Sequence, residues 1–191
     1  MGWHGKLLRV NLTAGTCVPE DLNMEWAQSY LGQRGLGTKY FSAEVDPKVD
    51  PMSPDNKLII AAGPLTGTMA PTGGRWSVIT KGALTGAIAC SNSGGQFGGE
   101  LKMAGWDMII FEGRASEPVY LYIENEKARL VRAGDLWGKS VWDLEPAIKN
   151  AHGDPLIRVA SIGPAGESGC HFACIVNDLH RAAGRSGVGA V

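Results

Sequence analysis

The sequence lacks the features that mark membrane, secreted and nucleic-acid-binding proteins. It has no apolar run near the roughly 20 residues that a membrane-spanning helix needs, and its first residues carry no apolar segment of a secretory signal. Its 18 Lys and Arg balance 19 Asp and Glu, so it has no excess of positive charge for nucleic acid or an anionic membrane surface. We therefore expect a cytoplasmic protein whose partner is a small molecule or another protein, with no nucleic-acid or membrane partner.

Cysteine and histidine are too few and too scattered for the usual disulfide and metal patterns. Cys17, Cys90, Cys170 and Cys174 lack the density of a disulfide scaffold, which suits a reducing compartment. Because Cys170 and Cys174 lie in an apolar run without a second ligand pair, we interpret them as core thiols rather than metal ligands. The four histidines show no His-x-x-x-His spacing, and no nucleophile elbow is present. The sequence offers no catalytic group of these kinds.

Glycine is abundant, at 27 of 191 residues, which is about twice the usual frequency of roughly 7%. Much of the backbone must therefore turn tightly or approach something closely. Short apolar or alternating segments between turns predict a mostly β body of the α+β class. The predicted strands are Lys6–Leu12, Cys17–Pro19, Leu58–Ala62, Trp76–Lys81, Ala87–Ser91, Met108–Glu112, Val119–Glu124, Ala128–Arg132, Ile157–Ile162 and His171–Val176.

Helical spacing of apolar residues predicts a few helices within this single domain, residues 1–191. One follows Asp21 and Asn23, either of which could cap it, and frays near Gly32. The last has Ser140 as its N-cap and Gly153 after it. The predicted helices cover Met24–Leu31, Thr38–Val45, Glu100–Ala104 and Val141–Ala151.

Two stretches of the chain resemble each other. Leu58–Gly67 and Arg158–Gly166 are each an apolar strand that runs into Gly-Pro and another glycine. Duplication of a β unit would explain the similarity, and so would the general tendency of strands to end in Gly-Pro. Both explanations remain open from the sequence.

A glycine-rich segment, Cys90–Glu100, follows one predicted strand and precedes a predicted short helix. Consecutive glycines let backbone N–H groups converge on an anion, and a helix start adds partial positive charge. The order of glycines matches neither a Walker A motif nor a dinucleotide fingerprint. The segment is either a cradle for a phosphate group or a tight structural turn.

Arginines accompany small residues at two further places. The end of the chain places His180, Arg181 and Arg185 among Ala and Gly, a composition that suits oxyanion binding or a flexible, solvated tail. Arg75 follows two glycines at the mouth of a predicted strand, where it could reach across a bound anion or lie exposed on the surface. The sequence therefore offers a candidate anion cradle in three pieces.

These segments together resemble the tungsten- or molybdenum-pterin aldehyde:ferredoxin oxidoreductase family, in order and spacing and over essentially all 191 residues. The similarity corresponds to the amino-terminal, cofactor-binding domain of that family. The segments that carry it are Leu8–Thr13, Gly63–Arg75, Asn92–Gly95, Gly99–Asp107, Ser161–Glu167 and Asn177–Val191.

The resemblance implies two β-sheets that form a platform under two pterin cofactors, which together chelate one tungsten or molybdenum ion. It implies a magnesium ion between the pterin phosphates, with backbone carbonyl ligands from Asn92 and Ala182. It implies that Arg75 lies between a pterin and a 4Fe-4S cluster, where its charge could tune the reduction potential. The residues implied to line the phosphates are Ser93, Gly94, Gly95, Arg181 and Ala183.

The family's cluster cysteines, pterin loops and acid or base residues belong to helical domains that this sequence does not contain, so no catalytic residue is assigned here. We expect a fragment, a truncated chain or one piece of a split enzyme, partnered by the C-terminal helical domains or by a separate chain. The implied function is oxidation of aldehydes to carboxylic acids, with electrons passing through the 4Fe-4S cluster to ferredoxin or an iron-sulfur electron-transfer subunit. Alternatives are a family enzyme acting on glyceraldehyde 3-phosphate or an aromatic thioester, and a non-catalytic module that binds a phosphate-bearing cofactor or docks to a partner.

Overall fold

A computed structural model describes residues 2–191 of the chain. The described strands are β1 (Lys6–Asn11), β2 (Thr16–Asp21), β3 (Lys57–Ala62), β4 (Trp76–Lys81), β5 (Ile88–Ser93), β6 (Met108–Glu112), β7 (Val119–Glu124), β8 (Lys127–Arg132), β9 (Ala160–Ser161), β10 (Ile175–Asn177) and β11 (Arg181–Ala183). The helices are α1 (Met24–Tyr30), α2 (Gln33–Glu44), α3 (Phe97–Met103), α4 (Val141–His152) and α5 (Pro164–Glu167), with a 3-10 turn at Gly134–Leu136.

The central element is a six-stranded mixed sheet with the strand order β2-β1-β6-β3-β4-β5. Its neighbouring strands are antiparallel except for β1 and β6, which are parallel. A small antiparallel sheet has the order β11-β10-β9, and β7 and β8 form a separate hairpin. The predicted sheet-dominated α+β class is confirmed. The strands β5 and β11 each lie at an edge of their sheet.

Both faces of the six-stranded sheet are covered, because successive side chains of a strand point to opposite faces. On one face, Ile59 packs with Ala27 of α1 and Leu36 of α2. On the other face, Ile60 packs in a cluster that includes Ile175 of β10. Each side chain of this kind, when fully buried, stabilises the fold by about 1.5–3 kcal/mol. The small sheet is therefore held against the large one by apolar packing.

The helix α4 agrees with its predicted boundaries and capping. Ser140 is the N-cap, and its side chain accepts a hydrogen bond from the Asp143 amide nitrogen at 3.3 Å. Gly153 closes the helix in the left-handed conformation, with φ 66°. At α1, Asn23 rather than Asp21 is the cap, since its Oδ1 accepts from the Trp26 amide at 3.0 Å.

The helix α2 begins at Gln33, five residues before the predicted start at Thr38. Gly35 and Gly37 lie in its first turns, and glycine disfavours a helix by about 1 kcal/mol relative to alanine. Gly37 packs closely on β4, since a Cβ there would lie only 2.5 Å from Cδ1 of Ile79. Tertiary packing therefore favours glycine at this position despite its low helix propensity.

Two predicted strands in the last third of the chain are mostly wrong. Of the predicted strand Ile157–Ile162, only Ala160–Ser161 pairs, and of His171–Val176 only the last two residues enter β10. Residues 170–173 form a turn in which the Ala173 amide donates to the Cys170 carbonyl at 2.8 Å. Ala173 is buried by this turn and not by strand pairing.

The chain end is ordered structure and not the flexible, solvated tail that remained an alternative. Strand β11 pairs with β10, and Val188 is buried in the core that the two sheets share. The Gly189 amide donates to the Ala173 carbonyl at 3.0 Å. This packing places His180–Ala182 at a fixed position beside the large sheet.

The two stretches that suggested duplication differ in local structure. Gly63 and Pro64 follow the six-residue central strand β3, whereas Gly163 and Pro164 follow the two-residue edge strand β9 and open the helix α5. The Gly-Pro similarity therefore does not extend to a shared β unit.

Among residues 2–191, no helix has the length and apolar character needed to cross a bilayer.

Candidate functional site

An open cleft of about 430 Å³ lies where β5 approaches β11. The Ser91 hydroxyl of β5 donates a hydrogen bond at 3.2 Å to the carbonyl of Gly184, the residue that follows β11. Three segments line the cleft: Thr72–Arg75 before β4, Ser93–Gly95 at the end of β5, and His180–Ala182 at the start of β11. These are the three pieces in which the sequence predicted an anion cradle.

Most of the predicted site residues meet at this cleft. Its lining includes Arg75, Ser93, Gly94, Gly95, Arg181 and Ala182. Asn92 lies immediately beside it and contacts Arg75. Ala183 does not line the cleft, and its side chain is fully buried in the core between the two sheets. Any contact of Ala183 with a ligand would therefore involve its main chain.

The Arg75 side chain is oriented by the residues around it. Its Nη1 donates to Oδ1 of Asn92 at 3.0 Å. Its carbonyl oxygen accepts from Nε2 of Gln33 at 3.0 Å and from the Thr66 hydroxyl at 2.9 Å. The main chain before β4 is thus anchored to α2, and the guanidinium is turned toward β5.

Glycine is required at two points where the cleft walls meet. Gly95 has φ 88°, a conformation that other residues rarely adopt, and a Cβ there would overlap the Asp178 carboxylate. A Cβ on Gly74 would lie 2.7 Å from the Gly95 carbonyl oxygen. The backbone of these two segments is therefore close-packed, as a cradle for an anion requires.

Asn177 and Asp178 hold the glycine loop in place, and we did not single them out as site residues from the sequence. Asn177 is fully buried; its Nδ2 donates to the Gly94 carbonyl at 3.0 Å, and its Oδ1 accepts from the Ser93 hydroxyl at 2.9 Å. Asp178 Oδ2 accepts from the Gln96 amide at 2.7 Å. In the sequence, the only sign of their role is that they are two adjacent polar residues at the end of an apolar run.

The glycine-rich segment predicts that the start of the following helix, α3, presents free amide groups to an anion. The structure differs at the first of these amides. The Gln96 amide, at the N-cap, is already bonded to the Asp178 carboxylate. The positive end of this short helix is therefore partly neutralised by the protein itself.

The cationic groups of the cleft are available to a ligand. Arg75 and Arg181 are exposed, and among residues 2–191 no carboxylate lies within 4 Å of either guanidinium. The His180 ring packs against Trp142 of α4, with ring centroids 4.8 Å apart. Two unpaired guanidinium groups beside a glycine-rich backbone match the chemistry of phosphate recognition.

None of the four cysteines lines the cleft. All four are free thiols of intermediate burial. Burial raises the pKa of the Cys90 thiol and of the Cys17 thiol, which disfavours their reactive thiolate forms. Among the described residues, no three His, Cys, Asp or Glu side chains converge as a metal-binding cluster.

Comparison with known proteins gives a match to one family model over nearly the whole chain. Residues 7–191 match the model described as "Aldehyde ferredoxin oxidoreductase, N-terminal domain". The chain is 59% identical over 190 residues to a tungsten-containing aldehyde ferredoxin oxidoreductase from Pyrococcus abyssi and 57% identical to one from Pyrococcus horikoshii. In both cases the match covers 100% of this chain and 31% of the relative.

A solved structure shows the same fold. The active-site complex of benzoyl coenzyme A reductase, determined with 1,5-dienoyl-CoA, superposes with a TM-score of 0.96 at 39% sequence identity. The match covers 99% of this chain and 29% of that chain. The sequence thus spans about a third of the length of the proteins that it resembles.

Proposed function

The chain belongs to the aldehyde ferredoxin oxidoreductase family, a family of oxidoreductases, and from this premise we propose that it forms the phosphate-holding part of a tungsten-pterin site. The observation that carries the proposal is the cleft between β5 and β11. Glycine backbone and two unpaired guanidinium groups converge there. The match to tungsten-containing relatives at 59% and 57% identity favours tungsten over molybdenum.

The residues at the cleft fit two phosphate-bearing pterins. A Cβ at Gly95 or Gly74 would collide with neighbouring protein atoms, so these glycines let the two loops pack together at the cleft. Arg75 and Arg181 belong to different segments of the cleft lining, and each would contact an anionic group through its planar guanidinium. Ser93–Gly95 would contribute main-chain donors between them.

The donor set also fits a magnesium ion held by main-chain oxygens. Asn92 lies in β5 and Ala182 in β11, and both strands are at sheet edges. Edge strands present alternate carbonyl groups away from their own sheet. Carbonyl oxygen and phosphate oxygen are ligands that magnesium prefers. Under this proposal, Asn92 and Ala182 hold the ion and the phosphates complete its coordination.

When bound, the metal-pterin group supplies the two-electron redox chemistry. The proposed reaction is the oxidation of an aldehyde to a carboxylic acid. This chain's residues bind and orient that group. Arg75 keeps a positive charge beside the anionic cofactor, which stabilises the more negatively charged form. We assign the 4Fe-4S cluster ligands, the substrate pocket and the contact with ferredoxin or an iron-sulfur subunit to helical domains or a partner chain beyond these residues.

A second candidate is reduction of an aromatic thioester on the same fold. The benzoyl coenzyme A reductase complex favours it, with 99% of this chain superposed. Sequence identity favours the aldehyde reaction, because the tungsten-containing relative from Pyrococcus abyssi shares 59% of residues against 39% for the reductase. A third candidate, a phosphate-binding module without catalysis, requires the same cleft but no tungsten.

Elemental mass spectrometry of protein purified anaerobically from its host tests the proposal. We expect tungsten together with phosphorus in the wild-type protein, and loss of both in the double variant Arg75→Met/Arg181→Met. Arg132→Met is the matched control, since Arg132 is exposed on β8 and pairs with Glu117 away from the cleft. Wild-type protein with phosphorus but no tungsten or molybdenum would support the binding module. A double variant that keeps both elements would refute the assignment of the cleft.

A further inference from the structure

Gln33 has a backbone conformation that glutamine rarely adopts. It is the first residue of α2, and its φ is 44°, in the left-handed region. For residues other than glycine this region is energetically unfavourable, because Cβ crowds the following carbonyl oxygen. Such a conformation persists where the surrounding structure enforces it, and it is concentrated at functional and ligand-binding sites. The contacts of Gln33 therefore indicate its role.

The Gln33 side chain lies between the two ends of the loop that leads to Arg75. At the beginning of this loop, a Cβ on Gly63 would lie only 3.0 Å from Nε2 of Gln33. At its end, the same Nε2 donates a hydrogen bond to the Arg75 carbonyl at 3.0 Å. The start of α2 thus fastens the loop at both ends.

The other atom of the Gln33 amide faces the residue that receives the Arg75 guanidinium. Oε1 of Gln33 lies 3.5 Å from Nδ2 of Asn92. The same Nδ2 donates to the Trp76 carbonyl at 3.0 Å and to Oγ of Ser77 at 3.2 Å. Because these oxygen atoms surround Nδ2, the Asn92 amide is held with Oδ1 toward Arg75, whose Nη1 donates to it at 3.0 Å. Gln33 therefore acts on Arg75 in two ways, through its main chain and through Asn92.

Amide groups can orient an arginine without neutralising it. The side chains of Gln33 and Asn92 are uncharged, and among residues 2–191 no carboxylate lies within 4 Å of the Arg75 guanidinium. The positive charge of Arg75 therefore stays available to an anion in the cleft. Its orientation matters because a guanidinium binds phosphate oxygens through donors in a fixed planar arrangement.

We propose that Gln33 is a positioning residue of the cleft, which raises the affinity for phosphate groups by holding Arg75 from behind. The left-handed backbone of Gln33 places its amide between the two ends of the loop. This role rests on the proposed phosphate-holding function of the cleft. It adds to that function a residue of α2, a helix that contributes no residue to the cleft lining.

Anion binding by two variants tests this role. Cofactor-free full-length protein is titrated with inorganic pyrophosphate by calorimetry. Gln33→Ala removes the amide and keeps the strained backbone, whereas Gln33→Gly removes the amide and relieves the strain. Both should bind pyrophosphate about threefold more weakly than the wild type, because the contribution of about one hydrogen bond is lost. Gln28→Ala, at an exposed position of α1, is the matched control and should bind as the wild type does.

A double-mutant cycle separates the positioning of Arg75 from general damage. In an Arg75→Met protein the amide has no guanidinium to position, so adding Gln33→Gly should leave the pyrophosphate affinity unchanged. Damage to the fold, or direct contact of Gln33 with the anion, would instead weaken binding to the same degree in both backgrounds.

Labelling with phenylglyoxal, which reacts with free guanidinium groups, gives a second readout that needs no anion. Mass spectrometry of the labelled peptides should show that Gln33→Gly raises the labelling rate of Arg75 by about threefold. The rate at Arg132, which pairs with Glu117 on the exposed surface, should not change.

The proposal is overturned by Gln33 variants that bind pyrophosphate like the wild type, by equal losses in the wild-type and Arg75→Met backgrounds, and by an absence of pyrophosphate binding to the wild-type protein. If Arg75→Met abolishes binding altogether, the labelling rate decides, and an unchanged rate at Arg75 overturns the proposal. The proposed function fails separately, when host-purified protein contains neither tungsten nor phosphorus.

Discussion

Asn177 reaches across 83 residues of sequence to donate a hydrogen bond from Nδ2 to the Gly94 carbonyl at 3.0 Å. Through Oδ1 the same side chain accepts from the Ser93 hydroxyl at 2.9 Å. Asn177 ends a strand of the small sheet, and Ser93 ends an edge strand of the large sheet. One buried amide therefore sets the position of the glycine loop relative to β11.

Asn177→Leu should destabilise the protein and loosen the glycine loop. Leucine has a similar volume but removes the acceptor of the buried Ser93 hydroxyl, at about 1–3 kcal/mol. It also removes one of the donors to the Gly94 carbonyl, which keeps Nε1 of Trp76 at 3.3 Å. Urea unfolding should show the loss, and hydrogen exchange should show faster exchange confined to residues 93–96. Ser93→Ala is the milder comparison. Unchanged exchange in the loop would show that Asn177 does not position it.

Gly95→Val should abolish incorporation of the phosphate-bearing cofactor. The added side chain would overlap Asp178 and would crowd Nδ2 of Asn177, which lies 2.6 Å from the position of the new Cβ. Gly86→Val is the control, because Gly86 also has a positive φ, of 65°, but nothing within 4 Å. The control should lose about 1–2 kcal/mol from backbone strain alone. A Gly95→Val protein that retains its full tungsten and phosphorus content would exclude the loop as the cradle.

The free energy of unfolding should decrease at acidic pH, because two carboxylates of an ion network become protonated. The network consists of Arg9, Glu44, Lys57 and Glu112. Glu44 Oε2 lies 2.9 Å from Nη1 of Arg9 and 2.8 Å from Nζ of Lys57. Burial opposes ionisation of Glu44, but hydrogen bonds from Arg9 and Lys57 outweigh it and lower its pKa. The pKa of Glu112 is likewise lowered: burial opposes ionisation, and the hydrogen bond from Lys57 outweighs it.

Because both folded-state pKa values lie below their unfolded values, the stability that they contribute is present above about pH 4.3. It is lost as the pH falls through the folded-state values. Glu44→Gln should flatten this part of the curve of unfolding free energy against pH, measured by urea titration from neutral pH to pH 3. Glu126→Gln should not, since Glu126 pairs with Lys6 on the exposed surface.

Substitutions of the buried pair Lys102 and Asp107 should have strongly non-additive effects on the free energy of unfolding. Lys102 Nζ donates to Asp107 Oδ1 and, at 2.9 Å, to the Gly2 carbonyl; Asp107 Oδ2 accepts from the Gly5 amide at 2.8 Å. Lys102→Met leaves a buried carboxylate unpaired and should cost about 3–5 kcal/mol. The double variant Lys102→Met/Asp107→Leu should lose less than the sum of the two single losses. Lys6→Met, in an exposed pair, should lose less than about 1 kcal/mol.

Two buried strands of the large sheet could be predicted from the sequence because each is a short run of mostly apolar residues. Trp76–Lys81 and Met108–Glu112 match their predicted boundaries. The cap at Ser140 and the stop at Gly153 could be predicted because capping depends on a few adjacent residues. Helix caps depend on neighbouring residues, and buried strands are visible as short runs of apolar residues, so both can be predicted from the sequence alone.

The remaining differences come from contacts between distant residues. The glycines that argued against a helix before Thr38 are accommodated by tertiary packing, such as that of Gly37 on Ile79, and sequence periodicity around residue 37 carries no information about Ile79. The run at residues 171–174 suggested a strand, but it forms a turn in which only Ala173 is buried and Phe172 is exposed. The Gly189 backbone lies against this turn, since a Cβ there would be 2.5 Å from the Cys174 carbonyl oxygen. The cleft segments were predicted, whereas the roles of Asn177 and Asp178 required the fold, since their partners lie about 80 residues away.

The separation of the two sides of the cleft also has a kinetic consequence. The Ser93–Gly95 loop can form with its own hairpin, but two further hydrogen bonds close a loop of more than 80 residues: Asn177 donates to the Gly94 carbonyl, and Asp178 accepts from the Gln96 amide. Closing such a loop is entropically costly, so contacts of this kind form late in folding. During synthesis the polypeptide must emerge past β11 before the anion cradle exists. Under the proposed function, the cofactor can therefore be bound only after the two sheets have docked.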